Sequence, residues 1–249
     1  MIGSHSNVIL QYSGGMDSLA LLYLARPHLD KITVLYGDPG ATFPHVLEHI
    51  HQTCDRLGAK LRIVYPDMPV QQWHEVNGLP SDIVPLWATA EMAKVGAAPK
   101  QLIQSTMSCC WRMLWLPMMQ AIQDSGATLV LRGAKLADER RGVASGHLDE
   151  RGVQYDSPLW DWTDEDVRAY LAAQNAPLPH QYAFLKDSLD CSVCTGHMAH
   201  YAKDRLSYIK THHPKVWPDL ADRLRRVRAA VADEHERIGS VLSVVEETT

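Results

Sequence analysis

The sequence predicts an α/β fold: a mostly parallel, twisted sheet with helices on both faces, followed by a helical C-terminal extension. Three observations carry this. Short apolar runs alternate with longer stretches of helical periodicity along the first part of the chain, as strands joined by crossover helices do. The first of these runs ends in a Ser-Gly-Gly turn that opens a helix. In the tail, Leu220, Leu224, Val227, Val231 and Ile238 recur at spacings of three, four and seven residues and form one apolar helical stripe.

Asn7–Tyr12 (NVILQY) reads as the first strand, and Met16–Ala25 as a helix with a Leu- and Ala-rich face. Ile32–Tyr36 is the second strand, and the Asp38-Pro39-Gly40 turn leads into a helix over Phe43–Leu57. Leu61–Tyr65 is the third strand. Pro, Gly and Trp break the periodicity of Pro66–Lys100, which yields only a short helix near Trp87–Lys94. Trp111–Asp124 reads as a helix and Thr128–Leu131 as a strand closed by Gly133. Lys135–Tyr155, rich in charge and glycine, reads as a long loop with functional potential. Thr163 caps a helix running to about Ala173, with Asp164, Glu165 and Asp166 in the first turn, where the helix dipole favours acids. The expected organisation is a nucleotide-binding domain over residues 1–195 and a helical extension over 196–249 packed on it.

A chain of 249 residues is long enough to bury a core in one α/β domain. Its 24 basic and 29 acidic residues leave a net charge of −5, which excludes a surface given over wholly to nucleic acid but allows a local basic patch. No apolar run is long enough to span a bilayer, and Met1–Asn7 lacks the regions of a signal peptide, so a cytoplasmic protein is expected.

Ser13-Gly14-Gly15-Met16-Asp17-Ser18 is the first candidate site. Two glycines let the backbone turn tightly and approach an anion, and the following helix offers free N–H groups and a positive dipole end to phosphate. Ser13 and Ser18 add hydroxyl donors. Asp17 either holds magnesium or braces the loop.

Five cysteines, an odd count, do not read as a disulfide framework. Cys54 lies inside a helix and reads as a small apolar residue. The other four form two tight pairs, Cys109-Cys110 and Cys191-x-x-Cys194, and read as a ligand quartet. Adjacent side chains diverge, which suits an iron–sulfur cube with separate irons better than one tetrahedral zinc; zinc and a set of reduced thiols stay open. His197 and His200 follow the second pair, either bracketing it or sitting in solvent. Arg223, Arg225, Arg226 and Arg228 crowd one helix and read first as a solvated face, with phosphate contact as the alternative.

SGGMDS resembles the SGGxDS signature of the PP-loop ATP pyrophosphatase superfamily. Tyr36-Gly37-Asp38-Pro39-Gly40-Ala41-Thr42-Phe43-Pro44 resembles the Asp-x-Gly-x-x-Phe-Pro stretch of its phosphoadenylylsulfate reductase branch. Pro158-Leu159-Trp160-Asp161-Trp162-Thr163, followed by Asp164-Glu165-Asp166-Val167, resembles that branch's Pro-Leu-x-x-Trp-Thr-x-x-Asp-Val segment. These markers run from about Asn7 to Cys194. The resemblance implies an adenine nucleotide α-hydrolase-like fold, with ATP and magnesium held at Ser13, Gly14, Gly15, Met16, Asp17, Ser18 and Asp38. It implies a 4Fe–4S cluster on Cys109, Cys110, Cys191 and Cys194. It also implies that Lys135, Arg140 and Arg141, after Arg132-Gly133-Ala134, face an anionic substrate and join Asp17 in catalysis.

One family feature is missing. The reductases act through a cysteine in a Glu-Cys-Gly-x-His string, and no cysteine follows Cys194 here. The intact phosphate loop, by contrast, suits ATP itself. The leading expectation is therefore ATP cleavage between the α and β phosphates, adenylylation of an acceptor, and sulfur transfer. The resemblance is to the ATP pyrophosphatase of DNA phosphorothioation systems, with a sulfur donor such as a cysteine desulfurase, a nucleic-acid acceptor and a second copy of the chain as expected partners. The alternatives are an adenylylsulfate or phosphoadenylylsulfate reductase using an external thiol, and a nucleotide-binding subunit of a modification complex.

Overall fold

Val8, Ile9 and Leu10 are almost wholly shielded from water, so strand β1 (Val8–Gln11) needs cover on both faces and a neighbour on each edge. In the computed structural model, which describes residues 2–136, 145–189, 191–199 and 202–247, it has both. β1 pairs in parallel with β2 (Ile32–Gly37) on one side and with β6 (Leu129–Leu131) on the other, Val8 lying opposite Ile32 and Leu129. β3 (Lys60–Val64) adds to β2 and β8 (Gln154–Asp156) to β6, both parallel. β7 (His147–Leu148) closes the edge antiparallel to β8, giving the order β3-β2-β1-β6-β8-β7. The chain leaves β1 toward β2 and later returns on the opposite side at β6. The carboxyl ends of β1 and β6 therefore flank a topological switch point, where open α/β sheets bind their ligands.

These strands belong to one compact unit, Met1–Asp38 with Thr42–Tyr65 and Leu114–Leu189. Its helices are α1 (Met16–Leu24), α2 (Pro44–Leu57), α6 (Leu116–Ser125) and α7 (Asp164–Ala173). Pro44 opens α2 and Gly58, at φ +67, ends it. α7 starts from a full capping box: Thr163 accepts from the Asp166 N–H, and the Asp166 carboxylate accepts from the Thr163 N–H. Ala121 and Ile122 of α6 pack on Ile9, Leu35 and Val130 of the sheet.

The second unit comprises Pro39–Ala41, Pro66–Met113 and Asp190–Thr249. It holds α3 (Val70–Asn77), β4 (Leu79–Ser81), α4 (Ala90–Lys94), β5 (Ile103–Ser105), α5 (Thr106–Cys110), α8 (Ala202–His212) and α9 (Trp217–Glu247). β4 and β5 pair in parallel, and Leu79, Ala88 and Ile103 pack with Val227 of α9. Gly78 allows this pairing: its φ is +99, and a Cβ there would sit 2.3 Å from the Leu102 carbonyl carbon.

Several elements differ from the sequence expectation. Pro66–Lys100 is not mostly irregular, since α3 and β4 fall within it. The helix expected over Trp111–Asp124 is interrupted: Trp111–Trp115 is a π-turn and α6 begins only at Leu116. Pro117 supplies the reason, because it has no N–H for the carbonyl of Met113. Lys135–Tyr155 is not one loop, since β7 and most of β8 lie in it. Of the tail stripe, Leu220 and Val227 are buried, whereas Ile238 is 53% exposed. Among the described residues no helix is long and apolar enough to cross a membrane.

Candidate functional site

The loop between β1 and α1 is set by its own serines. Ser13 Oγ accepts from the Gly15 N–H at 3.2 Å and lies 3.0 Å from Ser18 Oγ. Ser18 Oγ in turn accepts from the Ser13 N–H and donates to the Gly15 carbonyl. Gly14 adopts φ +77 and lies against Val46 and Ile50 of α2, where a Cβ would approach both to 3.2 Å. A short loop locked by internal hydrogen bonds at a helix N-terminus is an organised anion cradle.

The carboxyl end of β6 delivers the second part. Gly133 passes so close to the start of α1 that a Cβ would lie 2.8 Å from the Ser18 nitrogen. Two residues on, Lys135 is 3% exposed, and its ammonium sits 2.7 Å from Asp17 and 3.2 Å from Asp164. Asp17 thus meets Lys135 at the start of α1. Arg132 lays its guanidinium over the Tyr155 ring at 5.5 Å. Arg140 and Arg141 lie outside the described residues. Asp38, at the end of β2, is buried and accepts from the Thr42 hydroxyl at 2.8 Å.

Tyr182 reaches the loop from a distant part of the chain. Its hydroxyl accepts from the Met16 N–H at 3.1 Å, on the first turn of α1. Burial pushes this phenol up to about 12, with the Met16 N–H working in the opposite direction. Thus an oxygen atom already occupies one of the donors that would face an anion. No local signal marks a tyrosine 166 residues away along the chain.

All five cysteines are free thiols. Cys54 is 1% exposed within α2, and burial raises its thiol to about 11, as expected of an inert packed residue. The other four gather in the second unit. Cys109 and Cys191 pack with Ala41, Val70, Met113 and Val193. Burial, then the neighbouring Cys110, pushes the Cys109 thiol up to about 12. Burial likewise raises Cys110. Cys194 is raised by burial first, then by Cys191, with Cys110 and Cys109 adding to the effect. Cys194 therefore lies near the other three thiols, of which Cys109 is buried and Cys110 and Cys191 are partly exposed. Among the described residues no group of three or more His, Cys, Asp and Glu side chains forms a ready site for a metal ion.

Two further residues support the quartet. Asp82, just after β4, accepts from the N–H groups of His197 and Met198 at 2.7 and 2.6 Å and from the Thr106 hydroxyl at 2.9 Å. It thereby ties the start of α5, which carries Cys109 and Cys110, to the segment after Cys194. Burial opposes its charge, but these donors outweigh it and hold the carboxyl below its usual range. Asp82→Asn is expected to cost about 1–2 kcal/mol, toward the low end because water screens the exposed carboxylate. Melting of the variant against wild type at pH 7 and pH 3 checks this. The difference should shrink at the lower pH, because below the ordinary carboxylate range the unfolded chain takes up a proton that folded Asp82 resists. The other residue is His74 of α3, whose Nε2 lies 3.3 Å from Cys109 Sγ. Burial, then Arg223, holds this imidazole down at about 4. His197 lies 3.9 Å from Cys110 Sγ, and His200 is outside the described residues.

A serine-locked glycine loop at the switch point of an open parallel sheet stands where α/β folds of this kind hold their ligands. The chain belongs to the phosphoadenosine phosphosulfate reductase domain family, which matches residues 7–197 and so takes in the loop, Lys135 and both cysteine pairs. Adenosine 5'-phosphosulfate reductase of Neisseria meningitidis serogroup B is 23% identical over 196 residues, 78% of this chain and 74% of that protein. The enzyme of the same name from Burkholderia cepacia is 32% identical over 94 residues, 37% of this chain; the match spans only 38% of that relative's length. Among solved structures, phosphoadenylyl-sulfate reductase from Candida auris, in a phosphate complex, aligns with a TM-score of 0.51 over 73% of this chain and 80% of that one. Its 13% identity speaks to the fold alone.

Proposed function

We propose that the protein is a nucleotide enzyme of the sulfonucleotide reductase type, holding an adenylylated sulfate at Ser13–Ser18 for attack by a thiol from outside the quartet. The observation that carries this reading is the family match across both the loop and the cysteine pairs. It reverses the order of the sequence expectation, which placed ATP cleavage first. The positive end of α1 and the Met16 N–H, released from Tyr182, bind the nucleotide phosphate, and Lys135, moving off Asp17, offsets negative charge on the departing AMP. A thiolate forms a bond to the sulfate sulfur as the sulfur–oxygen bond to AMP breaks. A second thiol then displaces sulfite and leaves a disulfide, so two thiols supply the two electrons. The attacking thiol comes from a partner: burial raises Cys54, Cys109, Cys110 and Cys194 rather than activating them, and Cys191 is taken up in the quartet.

Cys109, Cys110, Cys191 and Cys194 are the residues that would hold a 4Fe–4S cluster. Thiols gathered this closely resist ionising together, and a cluster would supply the compensating positive charge. Adjacent Cys109 and Cys110 suit ligands spread over separate irons better than one ion that draws them to a point.

A specific observation favours a second reading. The Ser13–Ser18 string is intact, and Asp17 seats a buried lysine beside it, as suits cleavage of ATP and sulfur transfer from a donor such as a cysteine desulfurase. One experiment separates the two. Anaerobically purified protein is given adenylylsulfate with dithiothreitol, or ATP with magnesium, alongside an Asp17→Ala variant. Sulfite and AMP from the first mixture support the reductase reading. Pyrophosphate from the second, with no sulfite from the first, overturns it in favour of ATP cleavage.

A further inference from the structure

Asp219, Arg223, His74 and Cys109 form a single hydrogen-bonded row. The Arg223 Nε donates to Asp219 Oδ2 at 2.7 Å, one turn back along α9. Its Nη1 lies 3.3 Å from His74 Nδ1, and His74 Nε2 lies 3.3 Å from Cys109 Sγ. The chemistry of the end member fixes the direction of the row. A guanidinium only donates, so Nδ1 of His74 must accept. A neutral imidazole that accepts at Nδ1 carries its proton at Nε2, and that proton points at the sulfur. His74 is 4% exposed and the Arg223 side chain 15%, so water competes little for either contact. Asp219 is the solvent end and holds the guanidinium in place.

The geometry points to His74 as a positioning residue for the cysteine quartet: its Nε2–H donates to the Cys109 sulfur, in a tautomer set by Arg223. The inference rests on the cluster reading above and adds to it a specific donor. A donor on a ligand sulfur withdraws electron density, which weakens the iron–sulfur bond to that ligand, while holding the side chain in its ligating rotamer. Of the arginines crowding α9, Arg223 is therefore turned inward rather than part of a solvated face. Arg226, by comparison, pairs with Gln101 and Asp222 at an exposed position.

The test uses full-length protein purified and loaded with iron and sulfide anaerobically: wild type, His74→Phe, His74→Gln and Arg223→Met. Iron per chain is measured, together with the Fe–Sγ stretching bands by resonance Raman and the rate of iron release to a chelator. His74→Phe should move one Fe–Sγ band to higher frequency and speed release about 10-fold. Arg223→Met should do the same in part, because the proton is no longer held at Nε2. His74→Gln, whose amide can still donate, should restore the wild-type band. If His74→Phe does not fold, Arg223→Met and His74→Gln carry the comparison. Wild type that binds no iron overturns the cluster reading and the inference with it. Iron-loaded variants whose bands match wild type overturn the inference alone.

Discussion

Gly133→Ala is expected to weaken nucleotide binding at least tenfold and to destabilise the first unit by about 1–3 kcal/mol. The added methyl group would lie 2.8 Å from the Ser18 nitrogen, 2.9 Å from the Asp17 carbonyl carbon and 3.1 Å from the Ser18 Cα. All three are backbone atoms, so no side chain can rotate away. The start of α1 must shift from the end of β6, which disturbs the Ser13–Ser18 hydrogen bonds and the contact between Lys135 and Asp17. Gly133 is needed for space rather than for an unusual φ. Gly239→Ala is the control: it meets nothing within 4 Å within α9, and alanine there should stabilise the helix by up to about 1 kcal/mol. Calorimetric titration with adenylylsulfate and with ATP, alongside thermal melting, measures both effects. Wild-type affinity and melting in Gly133→Ala would mean that the β6–α1 junction does not shape the binding loop.

Cys194→Ser is expected to strip the protein of iron, from about four atoms per chain to fewer than about one, while Cys54→Ser keeps the full load. The contrast follows from position. Cys194 lies near the other three members of the quartet, so its loss leaves three thiols for four irons. Cys54 lies in α2, buried against the sheet unit, with its thiol held at about 11. Serine at Cys54 should cost stability through a buried hydroxyl, about 1–3 kcal/mol, without touching iron. Iron and acid-labile sulfide analysis of anaerobic preparations reads the difference directly. Equal iron in Cys194→Ser and wild type would mean that the quartet is not the ligand set.

The function was legible in the sequence only down to the superfamily branch. Ser13–Ser18, Tyr36–Pro44 and Pro158–Val167 are contiguous strings whose chemistry is local, and the family match agrees with them. The missing C-terminal cysteine and the intact Ser13–Ser18 loop put ATP cleavage first, whereas the family match supports the reductase alternative better.

The sequence by itself determined what neighbouring residues settle among themselves. A glycine pair before a helix makes a tight turn, Thr163 and Asp166 close a capping box within one turn, and paired cysteines stay paired in any fold. The tertiary structure alone decided what comes from distant segments. Parallel pairing of β1 with β6 brings Gly133 and Lys135 to the loop, and chain return brings Tyr182 to the Met16 N–H. The packing of α9 in the second unit brings Arg223 to His74, 149 residues away. β8, with the sequence Gln-Tyr-Asp, has no apolar pattern of its own and exists because β6 offers it an edge. Such contacts depend on the sum of many burials and backbone pairings across the chain, and no short window of residues records that sum.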